Sequence, residues 1–156
     1  MPDVTIYTDG SWKNRIQAGG WACLMVSGPY WQVISGGEQF TTISRMELTA
    51  VVNALSCLIV PCEVTVVSDS MYTVKSINEW IYNWNKNGWK TSHGKPVENQ
   101  DLLRVIMQYI VTRHKVKARW VKAHTRRTGI HYLGNGCVDW FAQYNADHCL
   151  DRRKQQ

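Results

Sequence analysis

The sequence predicts an α/β fold, a single mixed five-stranded sheet flanked by helices. Three observations predict it. Three short apolar runs separated by turn residues open the chain. The apolar repeat then changes from strand-like to helical beyond residue 47. Two later strand-like runs alternate with helical stretches, giving the order β-β-β-α-β-α-α-β-α.

Residues 3–9 alternate Val4, Ile6 and Thr8 with Thr5, Tyr7 and Asp9, as a strand does, and Asp9-Gly10 reads as its end. Gly19-Gly20 precedes a second run, Trp21 to Val26. Gly28-Pro29 turns the chain into a third, Trp31 to Ser35, so an antiparallel meander is expected. Leu48, Val51, Val52, Leu55 and Ile59 then repeat at helical spacing, with Pro61 as the stop. Val64 to Ser68 is β-branched throughout most of its length, which suits a strand buried on both faces. Residues 70–84 read as an interrupted helix, and 85–98, with Asn87-Gly88, Gly94 and Pro96, as loop. Leu102, Ile106, Tyr109 and Ile110 mark another helix. Val116, Ala118 and Trp120 alternate with Lys117 and Arg119 as a fifth strand. Residues 123–136 are polar. Val138, Phe141, Ala142 and Ala146 share one face of a last helix.

The chain has 156 residues, which suits one domain and allows a substantial core. Hydrophobic residues at 44% and charged residues at 19% argue against disorder. No apolar run approaches the ~18 residues of a membrane span, and Met1-Pro2-Asp3 does not begin a signal peptide. The five cysteines include no Cys-x-x-Cys pair, and Cys57 and Cys62 are too loosely placed for a zinc knuckle. Reduced thiols in a cytoplasmic protein are therefore expected.

Net charge is +6, unevenly spread. Residues 1–74 carry −3, residues 75–127 carry +9, and residues 128–156 carry none. The basic block suits a polyanion, most simply nucleic acid. On charge alone an ordinary solvated face explains it as well.

Four carboxylates occupy places where a sheet gathers its chemistry. Asp9 ends the first strand, Glu47 flanks the apolar stripe of the first long helix, Asp69 ends the fourth strand, and Asp139 follows Val138 in the last helix. Each has a local explanation. Asp9-Gly10 is a turn dipeptide. Ser44-Arg45-Met46-Glu47 fits a capping box. Asp69 could cap a helix, and Asp139 could favour a helix's positive end. Were the first and fourth strands neighbours, Asp9 and Asp69 would emerge together beyond the strand ends, where open α/β sheets place their sites. Crowded carboxylates repel, and divalent cations resolve that with oxygen ligands.

Together these residues resemble the type 1 ribonucleases H, especially the bacterial ribonuclease HI branch. The resemblance runs from about residue 4 to residue 147. It rests on Ile6-Tyr-Thr-Asp-Gly-Ser11, Arg45-Met-Glu-Leu48, Val67-Ser-Asp-Ser70, Trp120-Val-Lys-Ala-His124 and Cys137-Val-Asp139. It implies a ribonuclease H-like sheet of three antiparallel strands followed by parallel ones, in a single domain over residues 1–156. A basic protrusion at about 77–98 and an extended histidine loop at about 123–137 complete that domain. It implies hydrolysis of the RNA strand of RNA–DNA hybrids, leaving 5′-phosphate and 3′-hydroxyl ends. Two Mg²⁺ ions would be bound with substrate, with Mn²⁺ as a substitute. Asp9, Glu47, Asp69 and Asp139 match the metal-binding carboxylates, and His124 the histidine that assists proton transfer or product release. Trp80, Trp84 and Trp89, interleaved with Lys86 and Lys90, resemble the channel that grips the DNA strand. Ser11, Ser44, Arg45 and Asn135 stand at further substrate-facing positions. A monomer with no membrane partner is expected.

Three departures bear on substrate grip. Ile43 and Ser44 stand where the family commonly has two amides that read the minor groove. The stretch Trp12 to Gly20 lacks the family's two prolines, leaving Asn14 or Arg15 to substitute in its contact. Residues 125–138 carry about five more residues than expected, including Arg126 and Arg127, which would bind phosphate. Rival readings are a structure-specific or integrase-like DNase, a non-catalytic hybrid-binding module, and an accessory domain of a replication or reverse-transcription complex.

Overall fold

The structure, a computed structural model, describes residues 1–122 and 142–147. Its strands are β1 (Asp3–Lys13), β2 (Ala18–Ser27), β3 (Tyr30–Gln39), β4 (Glu63–Ser68) and β5 (Lys115–Trp120). They form one sheet in the order β3-β2-β1-β4-β5. β1, β2 and β3 pair antiparallel, as the short turns require, while β4 and β5 join in parallel after helical crossovers. The helices are α1 (Ile43–Cys57), α2 (Met71–Lys75), α3 (Ile81–Lys86) and α4 (Gln100–Thr112). A π-helical turn, Ser76–Trp80, lies between α2 and α3 and is the interruption that the sequence pattern predicts. Residues 142–147 are helical.

Alternation along β1 divides the core. Val4 and Ile6 join Leu48, Val51, Leu55, Leu103 and Ile106 beneath α1 and α4. Tyr7, on the other face, packs with Ala22, Val67 and Ala142. Every one of these side chains is buried. At roughly 1.5–3 kcal/mol for each fully buried large aliphatic side chain, this two-sided packing outweighs any individual polar contact described below.

Several boundaries differ from the sequence expectation. β1 does not end at Asp9-Gly10. Gly10 to Lys13 continue to pair with Trp21 to Ala18, so the turn dipeptide lies inside a ladder. Gly19 and Gly20 belong to β2 rather than preceding it. A Cβ on Gly19 would lie 2.6 Å from Met46 Cγ, and one on Gly20 only 2.0 Å from the Ala142 carbonyl oxygen. α1 ends at Cys57, well before Pro61. Leu58 turns extended while its N–H still bonds the Leu55 carbonyl, leaving Ile59 83% exposed instead of in the core. α3 runs two residues into the expected loop, whose Lys90 and Pro96 form a β-bridge. Trp120 is exposed rather than packed beside Val116 and Ala118. Val138 and Phe141 of the expected last helix lie outside the described residues, whereas Ala142 and Ala146 are buried as expected.

His114 anchors the start of β5. It is buried, its Nδ1 accepts the Cys62 N–H at 3.1 Å, and its ring stacks on Tyr109. Burial, with Arg113 beside it, holds its pKa below the usual histidine value.

Two outcomes are expected. Gly20→Ala drives a Cβ into backbone that cannot retreat, which lowers stability by about 3 kcal/mol. Thermal melting should show a drop of roughly 10 °C. The His114 contribution has a definite sign. Its folded pKa lies below its unfolded one, so the unfolded chain binds more protons at acid pH. That part of the stability is fully present above the ordinary histidine pKa and fades as pH falls through it towards the folded value. Denaturation at pH 7 and pH 5 should therefore show a smaller acid loss in His114→Asn than in the parent.

Candidate active site

Parallel pairing sets the first two carboxylates together. Tyr7 is in register with Val67. Two residues further along each strand, Asp9 and Asp69 lie at the same end of the sheet. Asp9 is buried and its Oδ1 accepts the Gly10 N–H at 3.0 Å. Asp69 follows the last residue of β4. Ser70, not Asp69, caps α2 by accepting the Thr73 N–H at 3.2 Å. The Trp120 indole donates to the Asp69 carbonyl at 3.1 Å, so this otherwise exposed ring holds the backbone of the turn.

Glu47 arrives from α1. The cap of that helix is Thr42, whose hydroxyl accepts the Arg45 N–H at 3.2 Å. Ser44 is therefore inside the helix, and the capping-box explanation of Glu47 falls away. Glu47 is 5% exposed. Its approach depends on Gly10, because a Cβ there would lie 2.7 Å from the Glu47 nitrogen and 2.9 Å from Met46 Cβ. One carboxylate oxygen from each of Asp9, Glu47 and Asp69 lies within 4.8 Å of the other two. Three negative groups so close, two of them buried, repel strongly in a medium less polar than water. An all-oxygen, all-anionic set of this kind fits a hard divalent cation such as Mg²⁺ or Mn²⁺.

Arg45 meets a partner that the sequence pattern does not reveal. Its Nη1 and Nη2 donate to the two carboxylate oxygens of Asp101 at 2.9 and 2.8 Å, and Nη1 also reaches Asn99 Oδ1 at 3.4 Å. The bidentate bond raises the Arg45 pKa and lowers that of Asp101. Asn99 has a left-handed backbone, and its amide donates to the Tyr72 hydroxyl at 3.3 Å. This network ties the start of α1, two residues before Glu47, to the start of α4 and to α2. The sequence gives Arg45 no visible partner, because Asp101 stands 56 residues away.

Tyr72 leads to the aromatic surface. Its ring meets Trp80 at 6.2 Å, and Trp80 meets Trp84 at 5.8 Å. Trp80, Asn83, Trp84, Asn87, Lys90 and Thr91 line most of an open groove of about 580 Å³. The two tryptophans are half-buried, while Lys86 and Lys90 are exposed. Trp89 is not part of this surface. It is 7% exposed, packs in the main core with a positive φ of 62°, and has Arg104 5.5 Å from its ring centroid. Periodicity does not separate a buried ring from a gripping one, and burial decides it here.

Ser11 lies two residues beyond Asp9 on the same strand face and is half-buried, as is Ser44. Asn14 and Arg15 are exposed in the β1–β2 turn. Asp139, His124, Arg126, Arg127 and Asn135 lie outside the described residues.

The RNase H family model matches residues 1–147. The ribonuclease H of Ralstonia nicotianae is 45% identical over 129 residues, covering 83% of this chain and 85% of its own. The ribonuclease HI of Pseudomonas syringae pv. tomato is 42% identical over 144 residues, 92% of each chain. Among solved structures, the PFV RNase H domain superposes with a TM-score of 0.79 at 25% identity, covering 94% of this chain and 95% of that one. LC9-RNase H1, a type 1 RNase H with the type 2 active-site motif, gives 0.78 at 25%, covering 94% and 73%. Fold and carboxylate cluster thus define a nuclease of the hydrolase class. The chain belongs to the RNase H family, in its type 1 bacterial branch.

The close approach at Gly10 can be tested directly. Gly10→Ala should push α1 outward by a few tenths of an ångström or more and displace Glu47. A shift approaching 1 Å at a reacting site is worth on the order of 100-fold in rate. The kcat should fall on that scale while circular dichroism remains that of the parent.

Proposed function

We propose that this ribonuclease H cuts the RNA strand of RNA–DNA hybrids endonucleolytically by a two-metal-ion mechanism, leaving 5′-phosphate and 3′-hydroxyl ends. The observation that carries the reading is the convergence of Asp9, Glu47 and Asp69 within 4.8 Å. Asp139, matched by the family resemblance, is the fourth ligand. Bound Mg²⁺, or Mn²⁺ in its place, supplies an activated water near neutral pH and stabilises charge on the leaving oxygen.

The protein's own residues do the rest. Asp9 from β1, Glu47 from α1 and Asp69 just past β4 would hold the cations. His124 exchanges a proton with the product phosphate or the leaving oxygen, a task that suits an imidazole near neutral pH. Trp80 and Trp84 present ring faces to sugars or bases of the DNA strand, and Lys86 and Lys90 track its phosphates. Ser11, Ser44, Asn14, Arg15 and Asn135 add polar contacts. Arg126 and Arg127 add phosphate contacts that offset the apolar Ile43. Arg45 acts through Asp101 as a positioning residue.

The enzyme is read as a monomer working on hybrids in the cytoplasm. Cys23, Cys57 and Cys62 are free thiols, as a reducing compartment would keep them. Among the described residues no helix is long and apolar enough to cross a membrane.

Asp69→Asn should lose at least 1,000-fold in kcat while melting no lower than the parent, because it removes one charge from a repelling cluster and little packing. The assay uses labelled RNA/DNA, RNA/RNA and DNA/DNA duplexes with Mg²⁺ and with Mn²⁺. Cleavage confined to the RNA strand of the hybrid is expected. Cleavage of DNA/DNA that spares the hybrid contradicts the reading.

A further inference from the structure

Asn78 lies in the middle of the π-helical turn Ser76–Trp80 and makes a matched pair of hydrogen bonds to one residue of β5. Its Nδ2 donates to the Ala118 carbonyl at 2.8 Å, and its Oδ1 accepts the Ala118 N–H at 2.8 Å. β5 is the last strand of the sheet, so its outer backbone has no strand to pair with. The Asn78 amide takes that place, bonding Ala118 as the peptide group of a neighbouring strand would. Guarding an open edge against other chains does not require such an amide, because exposed charges do so. Lys117 and Arg119 already stand exposed on either side of Ala118. The paired bonds fix a position instead.

The position they fix joins two parts of the proposed machinery. Ala118 stands two residues before Trp120, whose indole holds the Asp69 carbonyl. Asn78 stands two residues before Trp80, which meets Trp84 and lines the aromatic groove. Chain and hydrogen bonds therefore close a ring. It runs from Asp69 through α2 to Asn78, across to Ala118, along β5 to Trp120 and back to Asp69. One side of the ring carries a carboxylate of the cluster and the other leads into the groove. The turn holds one residue more than an α-helical turn, with the Ile81 N–H bonded to the Ser76 carbonyl, and turns of this kind gather at functional sites. Ile77 and Ile81 are buried in the main core, so the segment stays docked without the amide.

We propose that Asn78 is a positioning residue that sets the span between the carboxylate cluster and the aromatic groove, and with it the register at which the hybrid is cut. This deepens the function proposed above and rests on it. A groove that grips one strand and a metal site that cuts the other leave a fixed number of base pairs between grip and cut. That number is well defined only while groove and site are held rigidly to each other. Asn78 supplies the hold, acting through Trp80 on one side and through Ala118 and Trp120 on the other.

The test maps the cut positions along a short RNA/DNA hybrid of defined sequence, labelled at the RNA 5′ end, with steady-state kinetics measured alongside. In Asn78→Ala the distribution of cuts should shift or spread by about one nucleotide or more, because the groove is no longer held to the site. The KM should rise about 3- to 10-fold while kcat at saturating hybrid stays within about threefold of the parent. Ile106→Val, a mild truncation in the core, should also lower the melting temperature. It should keep the parent's cut pattern and KM, which separates lost position from lost stability. A parental cut pattern and KM in Asn78→Ala overturns the inference and leaves the proposed function standing. The same change of pattern in Ile106→Val, or a loss of kcat in Asn78→Ala with the pattern unchanged, also overturns it. A parent that cuts no hybrid removes the proposed function and this inference together.

Discussion

The close contact of α1 with β1 at Gly10 is the constraint on which the site depends. A helix normally stands off a sheet by the length of its side chains. Here a strand residue without a Cβ lets the α1 backbone come in at Met46 and Glu47. That single omission carries a helix carboxylate down to Asp9, inside β1, and Asp69, just past β4. The parallel β1–β4 pairing does the remaining work, since its register brings Asp9 and Asp69 out at one end. The fold tolerates the resulting repulsion because two apolar layers, one beneath α1 and α4 and one against residues 142–147, stabilise the sheet independently of its charged end.

Around this centre the labour is divided by element. Short polar contacts fix the frame: Thr42 and Ser70 cap the helices, Trp120 holds the backbone of Asp69, and Arg45 joins α1 to α4 through Asp101. The Arg45–Asp101 pair is partly exposed, so its value lies in geometry more than in stability. The aromatic groove on the π-helical turn and α3 is continuous with this frame through Tyr72 and Asn99. The basic block, +9 over residues 75–127, includes the lysines beside that groove. A negative centre next to a positive, ring-lined surface is the charge layout that a metal-dependent nuclease needs.

Much of this was legible in the sequence, for physical reasons. Strand and helix periods differ, so the five strands and the main helices followed from the apolar pattern. Asp69 was legible because strand ends are where α/β sheets gather function; Asp9 was singled out on the same ground, although β1 continues past it to Lys13. Other features depend on tertiary packing. Thr42 and Ser44 are equally good caps by composition, and the structure starts α1 at Ile43 with Thr42 as its cap. Asp9-Gly10 has the composition of a turn, yet the glycine serves close approach inside a ladder. Trp89 lies five residues after Trp84, itself four after Trp80, yet it turns inward, and Arg45 finds a partner 56 residues away.

The central claim is that Asp9, Glu47 and Asp69 are crowded together to hold a divalent cation. Anomalous scattering from crystals soaked in Mn²⁺ tests it most directly. The account requires a strong anomalous peak within ligand distance, about 2.0–2.4 Å, of oxygens from all three carboxylates. Well-ordered carboxylates with no anomalous peak between them, or a peak held by other residues instead, would contradict it.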